Sequence, residues 1–193
     1  MDAMEFFRQS AGQWRSQRTT HHLAFRRAEN GDSSIFVEAL EKTDPRVVEI
    51  CTMHAVDPST AIGGAYVSWQ GSMDWDREAE GHSGTTVFAL VPDDASGRSG
   101  QLLRERGYAE IVPVIGRFEL DDNNNLNLIT DYETMSAVEQ FWFMGPNLRL
   151  RASTVTRFGG LSTAAFCAEM RQTEAIAADE PLHVDQLYSS LGW

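Results

Sequence analysis

The sequence predicts an all-β fold: an antiparallel up-and-down barrel of about ten strands, with an N-terminal helix and one short interior helix. Three observations carry this. From Ile62 onward, short runs of alternating apolar and polar residues recur at close intervals. Turn-forming sequences separate them: Asp93-Asp94, Gly97, Asp121-Asp-Asn-Asn-Asn125, Gly145-Pro146 and Gly159-Gly160. Closure into a barrel leaves no strand edge exposed, and a helix can plug an end.

Residues 2–11 read as a short amphipathic helix using Met4, Phe7 and Ala11, ended by Gly12. Trp14–Phe25 is strand-like, Asn30-Gly31-Asp32 has the composition of a hairpin turn, and Ser34–Leu40 follows as a short strand. Asp44-Pro45 offers an N-cap and a proline at the first helical position, so Pro45–His54 is the interior helix, with Val48, Cys51 and Ala55 on its stripe. The strands expected next are Ala65–Gln70, Met73–Arg77, Thr85–Val91, Ala109–Glu119, Leu126–Glu133, Ala137–Phe143, Leu148–Phe158 and Leu161–Arg171. Helical interruptions are expected near Gly100–Arg106 and at the end of the chain.

Composition limits the function. A chain of 193 residues and 42% apolar content suits one barrel domain over residues 1–173; residues 174–193 lose the alternation and read as an acidic, partly mobile tail. The net charge of −12 argues against a nucleic-acid partner, and no window reaches the length of a membrane span. Met1-Asp-Ala-Met-Glu-Phe-Phe7 lacks the basic and apolar regions of a signal peptide, which makes a cytoplasmic protein the expectation. Cys51 and Cys167 are isolated, and the five histidines follow no ligand spacing, so no metal site is expected. Of sixteen cationic residues only Lys42 is lysine. Arginine's planar fork is the better donor to carboxylates.

The informative stretch is Asn147–Phe158. Read as a strand, it places Arg149, Arg151, Ser153 and Arg157 on one face, opposite Leu148, Leu150, Ala152, Thr154 and Phe158. That face is either solvated or turned into a cavity for a ligand carrying carboxylates. Val67, Trp69, Met73 and Trp75 share a face if pairing continues through Gly71, which gives ordinary core or a wall for a flat conjugated ligand. Glu139 alternates in phase with Phe141 and Phe143, out of phase with Val138, Gln140 and Trp142; a hairpin at Gly145-Pro146 would bring it to the wall of Arg151.

Several motifs in order then become recognisable: Gly12-x-Trp14-Arg-Ser-Gln-Arg-Thr-Thr-His-His-Leu23, Trp69-x-Gly-x-Met-x-Trp-Asp76, Arg106-Gly-Tyr-Ala-Glu-Ile111, Asp131-Tyr-Glu-Thr-Met135, and Asn147-Leu-Arg-x-Arg151 leading to Arg157-Phe-Gly-Gly160. Together they resemble the S-type phycobiliprotein lyases, the CpcS/CpeS family, from about residue 5 to 171. The resemblance implies a lipocalin-like or fatty-acid-binding-protein-like barrel. It implies a lyase that binds a phycobilin, an open-chain tetrapyrrole, and attaches it by a thioether to a cysteine of an apo-phycobiliprotein α or β subunit, with the bilin as substrate and no prosthetic group. The alternatives are a passive bilin carrier and a module that holds phycobiliprotein subunits without binding pigment. The implied chemistry falls to Glu139, Arg149 and His21, with His21 equally open to a packing role, and the implied bilin contacts are Trp69, Met73, Trp75, Trp142, Arg149 and Arg151. The acidic, arginine-rich composition resembles family members from marine, phycoerythrin-containing organisms, which implies phycoerythrobilin over phycocyanobilin. Plastid stroma replaces cytoplasm if the source is an alga, and no sequence feature fixes a homodimer.

Overall fold

The computed structural model describes residues 1–73, 82–105, 114–158 and 160–172, without the side chains of Met73 and Leu161. Trp75, the stretch Arg106–Ile111, Gly159 and the tail 174–193 lie outside the described residues. Ten strands close into one barrel: β1 (Gly12–His22), β2 (Arg27–Glu41), β3 (Gly63–Met73), β4 (His82–Pro92), β5 (Ser99–Arg104), β6 (Val114–Leu120), β7 (Leu126–Asp131), β8 (Met135–Phe143), β9 (Leu148–Arg157) and β10 (Gly160–Arg171). Each pairs antiparallel with its sequence neighbours, and β10 returns to β1. This is the up-and-down barrel that the alternation and turns predict.

Helix α1 (Ala3–Ser10) is set by a capping box between Asp2 and Glu5. It plugs one end, inserting Met4, Phe6 and Phe7 into the core with Phe88, Phe118 and Leu126. Phe6 meets Phe143 with ring centroids 5.1 Å apart, and Phe7 meets Phe88 at 5.0 Å. Gly12, at φ +120°, a conformation L side chains rarely adopt, turns the chain from α1 into β1. At the C-terminus of β10, Arg171 donates to the carbonyls of Gln9, Ala11 and Pro146 and lies 4.2 Å over the Trp14 ring. One side chain thus ties the last strand to the plug.

Helix α2 (Pro45–Met53) begins with Asp44 as N-cap and proline at its first turn. It packs on the outside of the barrel, where Val47, Ile50 and Cys51 meet Leu40, Ala89 and Leu103. The expected stripe is corrected: Val48 stays 36% exposed, and Ala55 lies past the helix end at φ 54°. Burial pushes the Cys51 thiol up.

Two further expectations are corrected. Asn30-Gly31-Asp32 is not a turn. β2 runs straight through it, pairing Asn30 with Thr19 and Gly31 with Arg18, while the reversal occurs at a 3-10 turn, Leu23–Phe25, closed by Arg26 at φ 52°. Gly100–Arg104 is not helical but lies in β5. Leu102 faces the core while Leu103 is covered by α2, so both faces of this strand are apolar and no alternation marks it.

Candidate functional site

The inner face of the barrel encloses a cavity of about 630 Å³, inside the range of roughly 300–1,000 Å³ typical of small-molecule sites. Its floor is α1, through Phe6 and Phe7, with Phe88, Leu126 and Leu128 around it. Above the floor the walls turn polar. Among the described lining residues are five arginines (Arg18, Arg104, Arg149, Arg151, Arg157) and three acids (Asp32, Glu139, Glu169). In a chain of net charge −12, the described part of the cavity lining thus carries a cationic surplus.

The arginine strand turns inward. In β9 the odd-numbered residues Arg149, Arg151, Ser153, Val155 and Arg157, which share one face of the strand, line the cavity, and Thr154 joins them. The solvated-face alternative does not hold. Arg149 is 5% exposed; its Nε donates to Glu169 Oε2 at 2.6 Å, and its guanidinium stacks 4.8 Å from the Trp14 ring. Trp14 is fully buried and donates to Ser10 O at 2.8 Å. Burial pushes Arg149 below its ordinary value, and the charge of Glu169 opposes that shift. A guanidinium starts high enough to remain protonated.

Arg151 joins the two acids. Its Nη1 donates to Glu139 Oε1 at 3.4 Å, and its Nε lies 3.3 Å from Glu169 Oε1, near enough for attraction but not aligned as a hydrogen bond. Glu139 is also 3.9 Å from Arg104 Nη2. The result is an alternating ladder, Arg104–Glu139–Arg151–Glu169–Arg149, across β5, β8, β9 and β10. Each buried charge has an opposite neighbour, the condition for tolerating charge in low dielectric. Nearer the end opposite α1 are Arg18 and Arg157, both exposed, whose side chains make no ion pair or hydrogen bond among the described residues.

The site residues expected from sequence divide. Glu139, Arg149 and Arg151 come together in the ladder. Trp69 lines the cavity from β3, which pairs without interruption through Gly71. Met73 pairs with Gly31 through its backbone at the end of that strand. Trp75 lies outside the described residues.

Two are not brought to the site. His21 is exposed on the outer face of β1, because Trp14, Ser16 and Thr20 take the inner parity. That position turns its side chain away from the cavity and leaves it in solvent. His22 has the inner parity, with Nε2 2.8 Å from Glu29 but not aligned as a hydrogen bond. Trp142 is likewise outside, its ring centroid 6.2 Å from that of Phe166 on the outer wall. Alternation alone separates Trp142 from Glu139; the resemblance had grouped them.

Glu169, Arg104 and Arg18 were not singled out from the sequence. Arg18 was legible, since it falls in phase with Trp14 along β1. Arg104 was hidden in a stretch read as helical. Glu169 was hidden by a bulge. β9 and β10 pair with Gly160 opposite Arg157 and Leu161 opposite Thr156, but Thr163 opposite Val155. The extra residue, Ser162, shifts the register by one, so that Glu169 rather than Ala168 faces Arg149.

A closed antiparallel barrel of ten strands, with an aromatic floor and a buried charge ladder around an interior cavity, has a lipocalin-like fold. The chain belongs to the CpeS-like protein family, whose model matches residues 2–172. It is 61% identical to chromophore lyase CpcS/CpeS 2 of Trichodesmium erythraeum over the full length of both chains. It is 58% identical to the phycocyanobilin lyase subunit CpcS of a Picosynechococcus, covering 100% of this chain and 98% of the relative. The solved S-type phycobiliprotein lyase CPES of Guillardia theta superposes with a TM-score of 0.79 at 33% identity, covering 90% of this chain and 94% of that one.

Proposed function

We propose that this protein is a chromophore lyase that binds a phycobilin non-covalently in the barrel and directs its attachment to a cysteine of an apo-phycobiliprotein subunit. The observation that carries this reading is the pairing of an aromatic-walled cavity with two unpaired guanidiniums, Arg18 and Arg157, in a chain that is otherwise strongly acidic. A bilin offers two propionates, which Arg18 and Arg157 can hold by charge-assisted hydrogen bonds. Arg149 and Arg151 already face Glu169 and Glu139, so their part is to hold those carboxylates in place. Glu139, bracketed by Arg151 and Arg104, is the acceptor for the pyrrole N–H groups, and Trp69 covers an apolar face.

Attachment adds the acceptor thiol across the ring-A ethylidene C=C. The S–C bond forms as the π bond breaks, the thiol proton ends on the ring carbon, and no oxidant or reductant is consumed. Both reacting groups come from the substrates, so the protein contributes orientation and exclusion of water. Neither cysteine of this chain is among the cavity-lining residues: Cys51 lies on the buried face of α2, outside the barrel, and Cys167 is buried beside Arg151. The name of the Picosynechococcus relative favours phycocyanobilin as the first ligand to test, against the compositional lean to phycoerythrobilin.

Titration of the purified protein with each bilin, followed by absorption, should give saturable binding, and acidic urea should release all pigment from this chain. Mixing the loaded protein with an apo-subunit should give a pigmented subunit band on a denaturing gel, above the level formed by free bilin. Binding without transfer would make the protein a carrier, and absence of any spectral change would defeat the reading altogether.

A further inference from the structure

Trp69 is 37% exposed although it lines the cavity, so its ring presents a face to the interior space. On the same inner face its cross-strand neighbours are Ile35 on β2 and Gly84 on β4. Ile35 is 6% exposed and fills its side. Gly84 leaves its side empty, and the indole occupies that space. A Cβ added at Gly84 would fall within 3.0 Å of Cζ2, Cε2 and Cη2 of Trp69. All three atoms belong to the six-membered half of one indole, which therefore lies flat over the glycine. Glycine inside a strand ordinarily weakens it, and its use marks a close approach by another group.

We propose that Gly84 is a specificity-determining residue: by lacking a side chain it lets Trp69 lie back against the β3–β4 wall, which sets the cavity width available to a flat conjugated ligand. The idea rests on the bilin reading for the identity of that ligand, but not for the placement of the ring. With any side chain at position 84, Trp69 has two ways to move. Ile35 blocks tilting towards β2, so the ring must swing into the cavity or along the strand over Gly71, itself a lining residue. Either movement takes space from the ligand. The indole is a rigid plate and cannot yield by local bending.

The test uses the full chain with Gly84→Ala, Trp69→Phe and the double variant. In ligand-free protein labelled with 5-fluorotryptophan, the Trp69 resonance, assigned by its loss in Trp69→Phe, should move in Gly84→Ala. Affinity for phycocyanobilin should fall about tenfold or more in Gly84→Ala, the scale expected for overpacking. Phenylalanine lacks the far half of the indole, so the double variant should bind within about threefold of Trp69→Phe alone. An unmoved resonance with unchanged affinity, or a double variant as impaired as Gly84→Ala, would overturn the proposal. Should Gly84→Ala not fold, the double variant decides: folding and binding like Trp69→Phe sustains the proposal, and failure to fold defeats it. If the wild type binds no bilin, the functional reading fails, while the fluorine shift still reports on the ring.

Discussion

Arg149 and Arg18 both point into the barrel, and their replacement should have opposite consequences. Arg149 shares a buried pair with Glu169, at 5% and 0% side-chain exposure. Arg149→Ala strands Glu169 with only Arg151 and removes one of the two guanidiniums stacked on Trp14, leaving Arg171. Breaking one partner of a buried pair costs about 3–5 kcal/mol, because the other charge remains out of water. Arg149→Ala should therefore lower stability by that order, measured by urea denaturation. Arg18→Ala and Arg157→Ala break no such pair. Their unfolding midpoints should stay close to wild type, while bilin affinity falls by about ten- to a hundredfold, the value of about 1.5–3 kcal/mol for a charge-assisted contact. A bilin dimethyl ester should bind the wild type weakly and lose little more on Arg18→Ala. Equal binding of ester and free acid would rule out propionate clamping.

Among the elements, the β9–β10 hairpin shows where the sequence was legible and where it was not. Alternation alone gave the inward set of β9, because Arg149, Arg151 and Ser153 are two apart whatever their partners. It could not give the facing set of β10, since one bulged residue exchanges inner and outer faces over the rest of the strand. The chain shows no sign of the bulge except a serine beside the turn. β5 failed for a different reason: α2 covers its outer face, so the period-two signal is absent. Deleting Ser162 should give a regular hairpin with Thr163 still opposite Val155, so the protein should fold with a modest change in Tm. Inserting an alanine after Thr163 demands a second bulge or turns Glu169 outward, and should cost about 3–5 kcal/mol through the stranded Arg149. Thermal unfolding of both variants, followed by circular dichroism, distinguishes them; a tolerated insertion would contradict the register argument.

Helix α2 carries an electrostatic prediction of its own. Hydrogen bonds from Arg46 hold both Glu38 and Asp44 below the usual carboxylate range. A carboxylate with a depressed folded value contributes stability that is present above its unfolded value and lost as pH falls through the folded one. Tm should therefore decline on acidification below about pH 4, where unfolded carboxylates titrate. The groups are partly exposed, so screening limits the size of the effect. Asn remains a good N-cap, so Asp44→Asn keeps the helix start but removes one of the charges. Its Tm should fall less steeply between pH 5 and pH 2 than that of the wild type, the limits chosen to bracket roughly the carboxylate range.

For the whole molecule, the barrel depends on α1 at one end for both stability and function. A ten-stranded barrel has more interior than its strand side chains fill near the ladder, and the remaining volume is the cavity. Met4, Phe6 and Phe7 close the floor, while Arg171, at the end of the strand that seals the barrel, donates to the carbonyls at the C-terminus of the same helix. Barrel closure and plugging are thus coupled through one residue. The amphipathic pattern of residues 2–11 made the helix legible, but whether it packed inside the barrel or beside it was not, since both bury the same stripe. Phe6 is 1% exposed, against Phe143 on the strand that also carries Glu139. Phe6→Ala should cost about 3–5 kcal/mol, as a large-to-small change in a packed core does. It should also deepen the cavity beneath the ladder, so bilin affinity should fall along with the urea midpoint. A helix resting beside a self-sufficient barrel would lose stability in Phe6→Ala and keep its affinity. Unchanged bilin binding in a clearly destabilised Phe6→Ala would therefore show that α1 is not the floor of the site.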